Sequence, residues 1–173
     1  AYDPQNPYSA SKAASDHFVQ TYHNTYGLPT VITNCSNNYG PRQHLEKLIP
    51  KTITNILEGK KIPVYGVGEN IRDWIYVEDH CEGILNVFNN GKVGEKYNIG
   101  GECEVTNNDL VKTIIKMMNA SEDLIEYVDD RPGHDLRYSI SNAKIRSELN
   151  YSPKHSLEEG LSKTIQWYES RRN

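Results

Sequence analysis

Gly27-Leu28-Pro29-Thr30-Val31-Ile32-Thr33-Asn34-Cys35-Ser36-Asn37-Asn38-Tyr39-Gly40-Pro41 joins three patterns in one short span. Gly27 and Pro29 stop a helix, as a C-terminal glycine and a helix-incompatible proline do. Thr30 to Thr33 is a β-branched run and reads as a buried strand. Asn34 to Glu46 is polar, holds Tyr39-Gly40-Pro41, and reads as a long loop. Upstream, Pro7 to Tyr26 has a proline where a helix begins, with Ala10, Ala13, Ala14, Phe18, Val19 and Tyr22 on roughly one side. Helix, strand and loop at this spacing predict an α/β fold.

The same alternation continues downstream. Leu48 to Leu57 reads as a helix ended by Gly59. Ile62 to Tyr65 and Asp73 to Val77 read as strands separated by a Gly66-Val67-Gly68 hairpin turn. Glu78 to Phe88 is an amphipathic helix carrying Cys81, Ile84, Leu85, Val87 and Phe88. Lys96 to Ile99 is a strand closed by Gly100-Gly101, and Asn107 to Met118 a helix with Leu110, Val111, Ile114, Ile115 and Met118 at core spacing. Leu124 to Val128 is a strand, and Ser141 to Leu149 and Ser156 to Tyr168 are closing helices, the second with a Ser156 to Glu159 capping box.

Composition removes several function classes. The chain has 173 residues and a net charge of −4, with no Lys/Arg-rich block. Neither nucleic acid nor an anionic membrane surface is an expected partner. No apolar run approaches the ~20 residues of a membrane span, and no basic-then-apolar leader opens the sequence. Cys35, Cys81 and Cys103 form no Cys-x-x-Cys pair, which predicts a reduced, cytoplasmic setting. Cys81 and Cys103 read as buried packing residues. The six histidines show no His-x-x-x-His or Cys/His ligand spacing, so no metal site is expected. No Gly-x-Ser-x-Gly elbow and no glycine-rich phosphate loop occurs.

Tyr8 and Lys12 stand one helical turn apart. A cation beside a phenol favours the phenolate, which is what a tyrosine needs to take a proton from an alcohol. With 12 tyrosines and as many lysines, chance alone supplies about one such pair, so the spacing by itself carries nothing. The small neighbours Ser9, Ala10, Ser11, Ala13 and Ala14 would let a flat cofactor approach. Asn34, Asn37 and Asn38 are either turn formers or amides for sugar and nicotinamide groups at a strand's carboxyl end. Lys47, Arg72, Arg131 and Arg137 sit in or beside loops; converging arginines grip a diphosphate, and isolated ones make surface ion pairs. Tyr65 either stacks on a base or fills core.

Six strings together resemble the extended short-chain dehydrogenase/reductase superfamily and, within it, the dTDP-glucose 4,6-dehydratases. They are Pro7-Tyr8-Ser9-Ala10-Ser11-Lys12, Asn34 to Pro41, Glu46-Lys47-Leu48-Ile49-Pro50, Ile71-Arg72-Asp73-Trp74, Tyr97-Asn98-Ile99-Gly100-Gly101 and Asp130-Arg131-Pro132-Gly133-His134-Asp135. Tyr-x-x-x-Lys and Asn-x-Tyr-Gly-Pro occur across the superfamily, epimerases and decarboxylases included; Glu-Lys-Leu-Ile-Pro with Arg-Asp-Trp and Arg-Pro-Gly-His-Asp is much more specific. The resemblance covers the C-terminal portion of that family only, with the glycine-rich half absent. The Met-less start at Ala1 therefore reads as the cut edge of a larger enzyme.

The resemblance implies NAD as cofactor and a dTDP-glucose-type nucleotide sugar as substrate. It makes Tyr8 the base at the sugar C4 hydroxyl and Lys12 its assistant, also holding the nicotinamide ribose. Asn38 would face the nicotinamide and Asn37 the substrate. Lys47 and Leu48 would lie over the sugar diphosphate; Pro63, Val64 and Tyr65 beside the base; Arg72 and Arg131 on the diphosphate. Asn107 and His134 would make further nucleotide contacts. The elimination acid and base, a Thr-Asp-Glu string in the family, match nothing here. His44-Leu45 departs from the family's aromatic and proline. The expected architecture is the last elements of a Rossmann sheet (1–46 and 70–100) plus a smaller α/β substrate domain (47–69 and 101–173). The isolated chain is expected to be inactive; the alternatives are a nucleotide-sugar-binding fragment or part of a related epimerase or decarboxylase. A homodimer is implied, with Ala10, Ala14 and Phe18 as its packing face or simply as core.

Overall fold

A computed structural model describes residues 3–171. The chain opens with helix α1 (Pro7–Tyr26), capped by the Asn6 side chain on the Ser9 N–H and closed by Gly27 in the left-handed region at φ 67°. Strand β1 (Ile32–Cys35) passes through Ser36 directly into β2 (Asn37–Tyr39). Helix α2 (Leu48–Glu58), β3 (Ile62–Tyr65), β4 (Ile71–Tyr76) and α3 (Val77–Asn90) follow, then β5 (Lys96–Ile99) and β6 (Glu104–Thr106). Helix α4 (Asn107–Met117) and a 3₁₀ turn (Glu122–Leu124) lead to β7 (Ile125–Val128) and the two-residue β8 (Arg137–Tyr138). Helices α5 (Ala143–Leu149) and α6 (Leu157–Glu169) end the described chain, α6 with the expected capping box.

Three small sheets result among the described residues. β1 pairs β5 in parallel, and β3 pairs β7 in parallel. The third is built on β4, which takes β2 in parallel on one side and β6 antiparallel and β8 parallel elsewhere along its length. β4 feeds two cores, because alternate side chains of a strand point to opposite faces. Trp74 and Tyr76 join Tyr39, Ile49, Ile53, Leu110, Ile114 and Leu161 under α2, α4 and α6. Ile75 joins Val87, Tyr97, Ile99 and Ile145 under α3 and α5. Ile62 and Val64 of β3 form a third core with Val111 and Ile115 of α4.

Between these faces lies Asp73, fully buried. Its carboxylate accepts the Gly101 N–H at 3.1 Å and the Cys103 N–H at 2.8 Å, while the Cys103 carbonyl accepts the Trp74 N–H at 3.0 Å. Gly101 is required by this approach: a Cβ there would stand 1.7 Å from the Trp74 carbonyl oxygen. Asn142 completes the turn by bonding both the N–H and the carbonyl of Gly100.

Several sequence expectations are corrected. The first strand begins at Ile32, because the ladder to β5 runs from Ile32 opposite Lys96 to Cys35 opposite Ile99. The long loop from Asn34 contains β2, since Asn37 to Tyr39 find partners in Trp74 to Tyr76. Gly66-Val67-Gly68 is no hairpin turn: β3 and β4 lie in different sheets, and the turn is held by Asn108, which donates from its side chain to the Val67 carbonyl at 2.8 Å. β6 and β8 are too short to leave a period in the sequence. No residue of α1 is buried, so Ala10, Ala14 and Phe18 are not core. On α3 only Asp79, Gly83 and Val87 are buried; Cys81, Ile84, Leu85 and Phe88 are exposed. Gly83 lets that helix settle on β5, where a Cβ would meet Ile99 at 2.7 Å. Cys103 is half-buried rather than buried.

Replacing Asp73 by alanine strands the Cys103 N–H in a dry interior, leaves the Gly101 N–H only the Ser36 hydroxyl at 3.2 Å, and opens a buried gap; an unsatisfied buried donor alone costs about 1–3 kcal/mol. Asp73→Ala is expected to lose about 3 kcal/mol or more in urea unfolding. Asp73→Asn, which keeps one acceptor, is expected to lose less.

Candidate functional site

Two adjoining cavities share Asn37 and Arg72 as a common wall. The first, about 740 Å³, lies between the first turns of α1 and the β1–β2 junction. Its lining includes Tyr8 and Lys12 from α1, Thr33 to Asn37 from the strands, and Arg72, Asp135 and Tyr138 across the opening. Tyr8 is 74% exposed, at the N-terminal end that Asn6 caps. Tyr138 is the other phenol present, and burial raises its pKa. It stays a donor, bonding the Cys35 carbonyl at 3.2 Å. Burial also raises the Cys35 thiol, against smaller opposing effects of Asn38 and Lys12, so a thiolate nucleophile is disfavoured there.

The second cavity, about 570 Å³, opens between β2, the start of α2, the end of β3 and the 131–134 turn. Lys47, Lys51, Arg72 and Arg131 line it, against a single carboxylate, Glu46. That is a cationic recess in a chain of net charge −4. Arg72 is anchored by its own strand: Nη1 donates to the Ile71 carbonyl at 2.7 Å and Nη2 to the Asp135 carbonyl at 2.8 Å. Burial lowers its pKa, with Asp135 acting in the opposite sense, yet a guanidinium remains charged. Arg131 lies over the Tyr65 ring at 5.0 Å, within cation–π range. Tyr65 is 38% exposed on the cavity wall and does not fill core. The 130–134 turn is tied by Asp130, whose carboxylate accepts from His134 Nδ1 at 2.6 Å and from the Arg131 N–H at 2.8 Å. His134 Nε2 then faces Arg131 Nη2 at 3.3 Å.

Most candidate residues reach a cavity wall. Tyr8 and Lys12 line the first; Asn38, Lys47, Leu48, Pro63, Tyr65, Asn107, Arg131 and His134 line the second; Asn37 and Arg72 line both. Asn38, read as facing the nicotinamide, lines only the second cavity and donates to the Ser36 carbonyl at 3.1 Å. Val64 directs its side chain into the third core, which leaves only its backbone for a ligand. Arg137 does not converge with the others, because both its Nε and Nη2 are held by Glu104 at 2.6 and 2.7 Å. Lys51, Gln43, Trp74 and Tyr138 were not singled out by the sequence. Lys51 was findable, one helical turn beyond Lys47. Tyr138 was not, because it lies in a two-residue strand that only long-range partners, β4, Glu104 and Cys35, hold in place. Among the described residues no group of three or more His, Cys, Asp or Glu side chains could hold a metal ion.

The Asp130 carboxyl is held below the ordinary carboxylate range, first by the His134 hydrogen bond and then by the Arg131 N–H. A folded value below the unfolded one means the contact contributes fully above about pH 4 and is lost as pH falls through the lowered value. An NMR titration of the Asp130 side-chain carbon should show a midpoint below that of an unstructured aspartate, and His134→Ala should move it upward.

The model of the family described as GDP-mannose 4,6 dehydratase matches residues 1–164. The dTDP-glucose 4,6-dehydratase of Haemophilus influenzae is 52% identical over 96% of this chain and 53% of its own length. The crystal structure of the dTDP-glucose 4,6-dehydratase of Bacillus anthracis in complex with NAD has 51% identity and a TM-score of 0.94, over 98% of this chain and 54% of that one. The Streptomyces venezuelae enzyme of the same name, with NAD bound, has 48% identity and a TM-score of 0.96, over 98% and 53%. The chain thus spans about half the length of the relatives it matches, in their C-terminal part. With this site, this fold and a family match running from residue 1 to residue 164, the chain belongs to the GDP-mannose 4,6 dehydratase family.

Proposed function

We propose that these residues supply the proton-accepting tyrosine and the nucleotide-sugar cavity of an NAD-dependent lyase that dehydrates dTDP-glucose to its 4-keto-6-deoxy product. The observation that carries this reading is the shared wall: Asn37 and Arg72 border both the Tyr8 cavity and the cationic recess. A diphosphate gripped by Lys47, Arg72 and Arg131 would extend its sugar toward Tyr8. About 52% identity to dTDP-glucose 4,6-dehydratases favours that sugar nucleotide over others.

Two features of the first cavity fit NAD. Lys12 offers an ammonium donor for ribose hydroxyls one turn from Tyr8, and Asn34 is the kind of amide that pairs with a carboxamide. When bound, NAD supplies hydride acceptance at the sugar C4 and its return at C6. The chain's own part is the proton. Tyr8 takes it from the C4 hydroxyl, with Lys12 on the same cavity wall, and Asn37 and Arg72 hold the substrate in reach. The C4 ketone so formed acidifies C5, which permits loss of water across C5 and C6. No Thr-Asp-Glu string for that elimination occurs in this sequence.

In the same reading, 1–46 and 70–100 belong to the NAD-binding sheet, and 47–69 and 101–173 to the nucleotide-sugar domain. The third core supports this division, since Ile62, Val64, Val111 and Ile115 all come from the second group. The setting is cytoplasmic, in keeping with three free cysteines. No helix among the described residues is long and apolar enough to cross a membrane, and neither membrane nor nucleic acid is a partner in this reading. The enzyme is a homodimer, formed along α1, which exposes Phe18, Tyr22 and Tyr26 and carries the small Ala10 and Ala14.

Calorimetry tests the recess: this chain should bind dTDP, and Arg131→Ala should weaken it by about tenfold or more, as loss of a charge-assisted contact does. Incubated alone with NAD and dTDP-glucose, the chain should yield no keto-sugar absorbance in alkali. In an active enzyme containing these residues, Tyr8→Phe should lower kcat by about 10²-fold or more with dTDP affinity kept. The dimer is checked by sedimentation: Phe18→Asp should give a folded monomer where the parent chain sediments as a dimer.

A further inference from the structure

A third cavity, about 720 Å³, lies apart from the two described above. It opens between the loop after β2, the C-terminal half of α2 and the end of α6, and it shares only Gln43 with the cationic recess. Its volume falls in the range of small-molecule sites, about 300–1,000 Å³. The fold builds this recess. The Tyr168 hydroxyl donates to the Gln43 carbonyl at 2.6 Å, and the Gln43 N–H to the Gly40 carbonyl at 3.4 Å, so the loop is fixed to α6. Leu57 and Trp167, both packed against the first core, supply apolar floor, and Leu45, 57% exposed, adds more from the loop.

Charge is the second feature. Arg42 and Arg171 line the same recess and both are exposed. Among the described residues the Arg42 side chain has no hydrogen bond, ion pair or ring contact. Arg171 rests its guanidinium over the Trp167 ring at 4.9 Å, and Tyr168 meets that ring edge-on with centroids 4.7 Å apart. Glu58 is the one carboxylate among the lining residues, and Lys60 takes it up at 2.6 Å. Two guanidiniums are thereby left without a counter-anion beside an apolar floor, in a chain of net charge −4. Arg42 is held there against its backbone preference: its φ is 67°, in the left-handed region that residues other than glycine seldom adopt. His44 and Leu45, where the sequence departs from the family's aromatic and proline, line this recess too.

We propose that the recess is a second binding site, which takes a small aromatic anion: its flat ring on Leu45, Leu57 and Trp167, its carboxylate between Arg42 and Arg171. Apolar surface alone accepts any oily group. The unpaired guanidiniums select one that brings a negative charge, held by charge-assisted hydrogen bonds. An aromatic ring also gains contacts with the indole beyond the area it buries. An inorganic anion would leave the floor bare, and a nucleoside diphosphate meets more charge in the recess of Lys47, Lys51, Arg72 and Arg131. The site does not depend on the nucleotide-sugar reading.

NMR of this chain tests the proposal, with 2-naphthoate as the probe and 2-naphthamide as its uncharged counterpart. The chain has two tryptophans, hence two indole N–H signals, and Trp167→Phe assigns them. Naphthoate should move the Trp167 signal saturably, and naphthamide should bind about fivefold more weakly or worse. Arg42→Gln combined with Arg171→Gln should remove that difference. The Trp74 signal, from the first core, reports that the variant stays folded. Saturating dTDP should leave the naphthoate affinity within about twofold. Equal affinity for the two probes, an unchanged preference in the double variant, or a Trp167 signal that does not move overturns the proposal. Displacement of naphthoate by dTDP does so too, since it would place the probe in the diphosphate recess.

Discussion

A carboxylate inside the protein holds the pieces together. Asp73 sits mid-way along β4 with no solvent exposure and binds the backbone where β5 has just ended and β6 is about to begin. Burying a charge without partners is prohibitive, so this carboxylate defines where Gly101 and Cys103 must lie. Because Gly101 has no Cβ, the chain can pass against the Trp74 carbonyl and turn back along β4. The β5 strand, paired to β1, is thereby locked to the sheet built on β4. Ser36 reinforces the same point, its hydroxyl accepting the Gly101 N–H at 3.2 Å.

The position of the site follows from that lock. One extended stretch, Ile32 to Tyr39, changes partner at Ser36, running first along β5 and then along β4. A strand that changes sheets opens a crevice at the change, and in α/β proteins ligands settle at such switch points beyond strand ends. Here the crevice is divided by Asn37 and Arg72 into an α1 side and an α2 side. Arg72 can serve both because its guanidinium is tied to the Ile71 and Asp135 carbonyls instead of to a carboxylate. Its charge is positioned by the fold but not neutralised by it, in contrast to Arg137, which Glu104 takes up completely.

What the sequence disclosed and what it hid divide along physical lines. Helices with a strong apolar stripe and local stops, such as α2, α4 and α6, were legible because caps and period lie within each segment. The pairing of β3 with β7 across some sixty residues was not, and the glycines after Tyr65 suggested a hairpin instead. The apolar residues of α1 and α3 suggested core, yet Phe18, Leu85 and Phe88 are exposed: amphipathicity marks a face to be covered and says nothing of what covers it. At the candidate site, the sequence pointed to charged residues within family strings, quoted Trp74 in one of those strings without giving it a role, and left Gln43 unnamed. Burial is a property of the assembled fold, and the Trp74 indole is enclosed only once Tyr39 packs edge-on against it in the shared core.

The cationic recess sets a last constraint, on order in its own wall. Lys47 and Lys51 sit one turn apart at the start of α2, where the helix dipole adds its positive end to theirs. Arg131 faces them from a turn that has no strand or helix to hold it. Like charges gathered around one recess repel, so the turn needs an attraction of its own. Asp130 supplies it, drawing His134 and the Arg131 N–H inward, and Tyr65 gives the guanidinium a π-face to rest on. The acid is placed behind the arginine, where it steadies the turn without occupying the face that meets the cavity. That separation of anchoring charge from exposed charge lets a protein of net charge −4 keep a cationic recess.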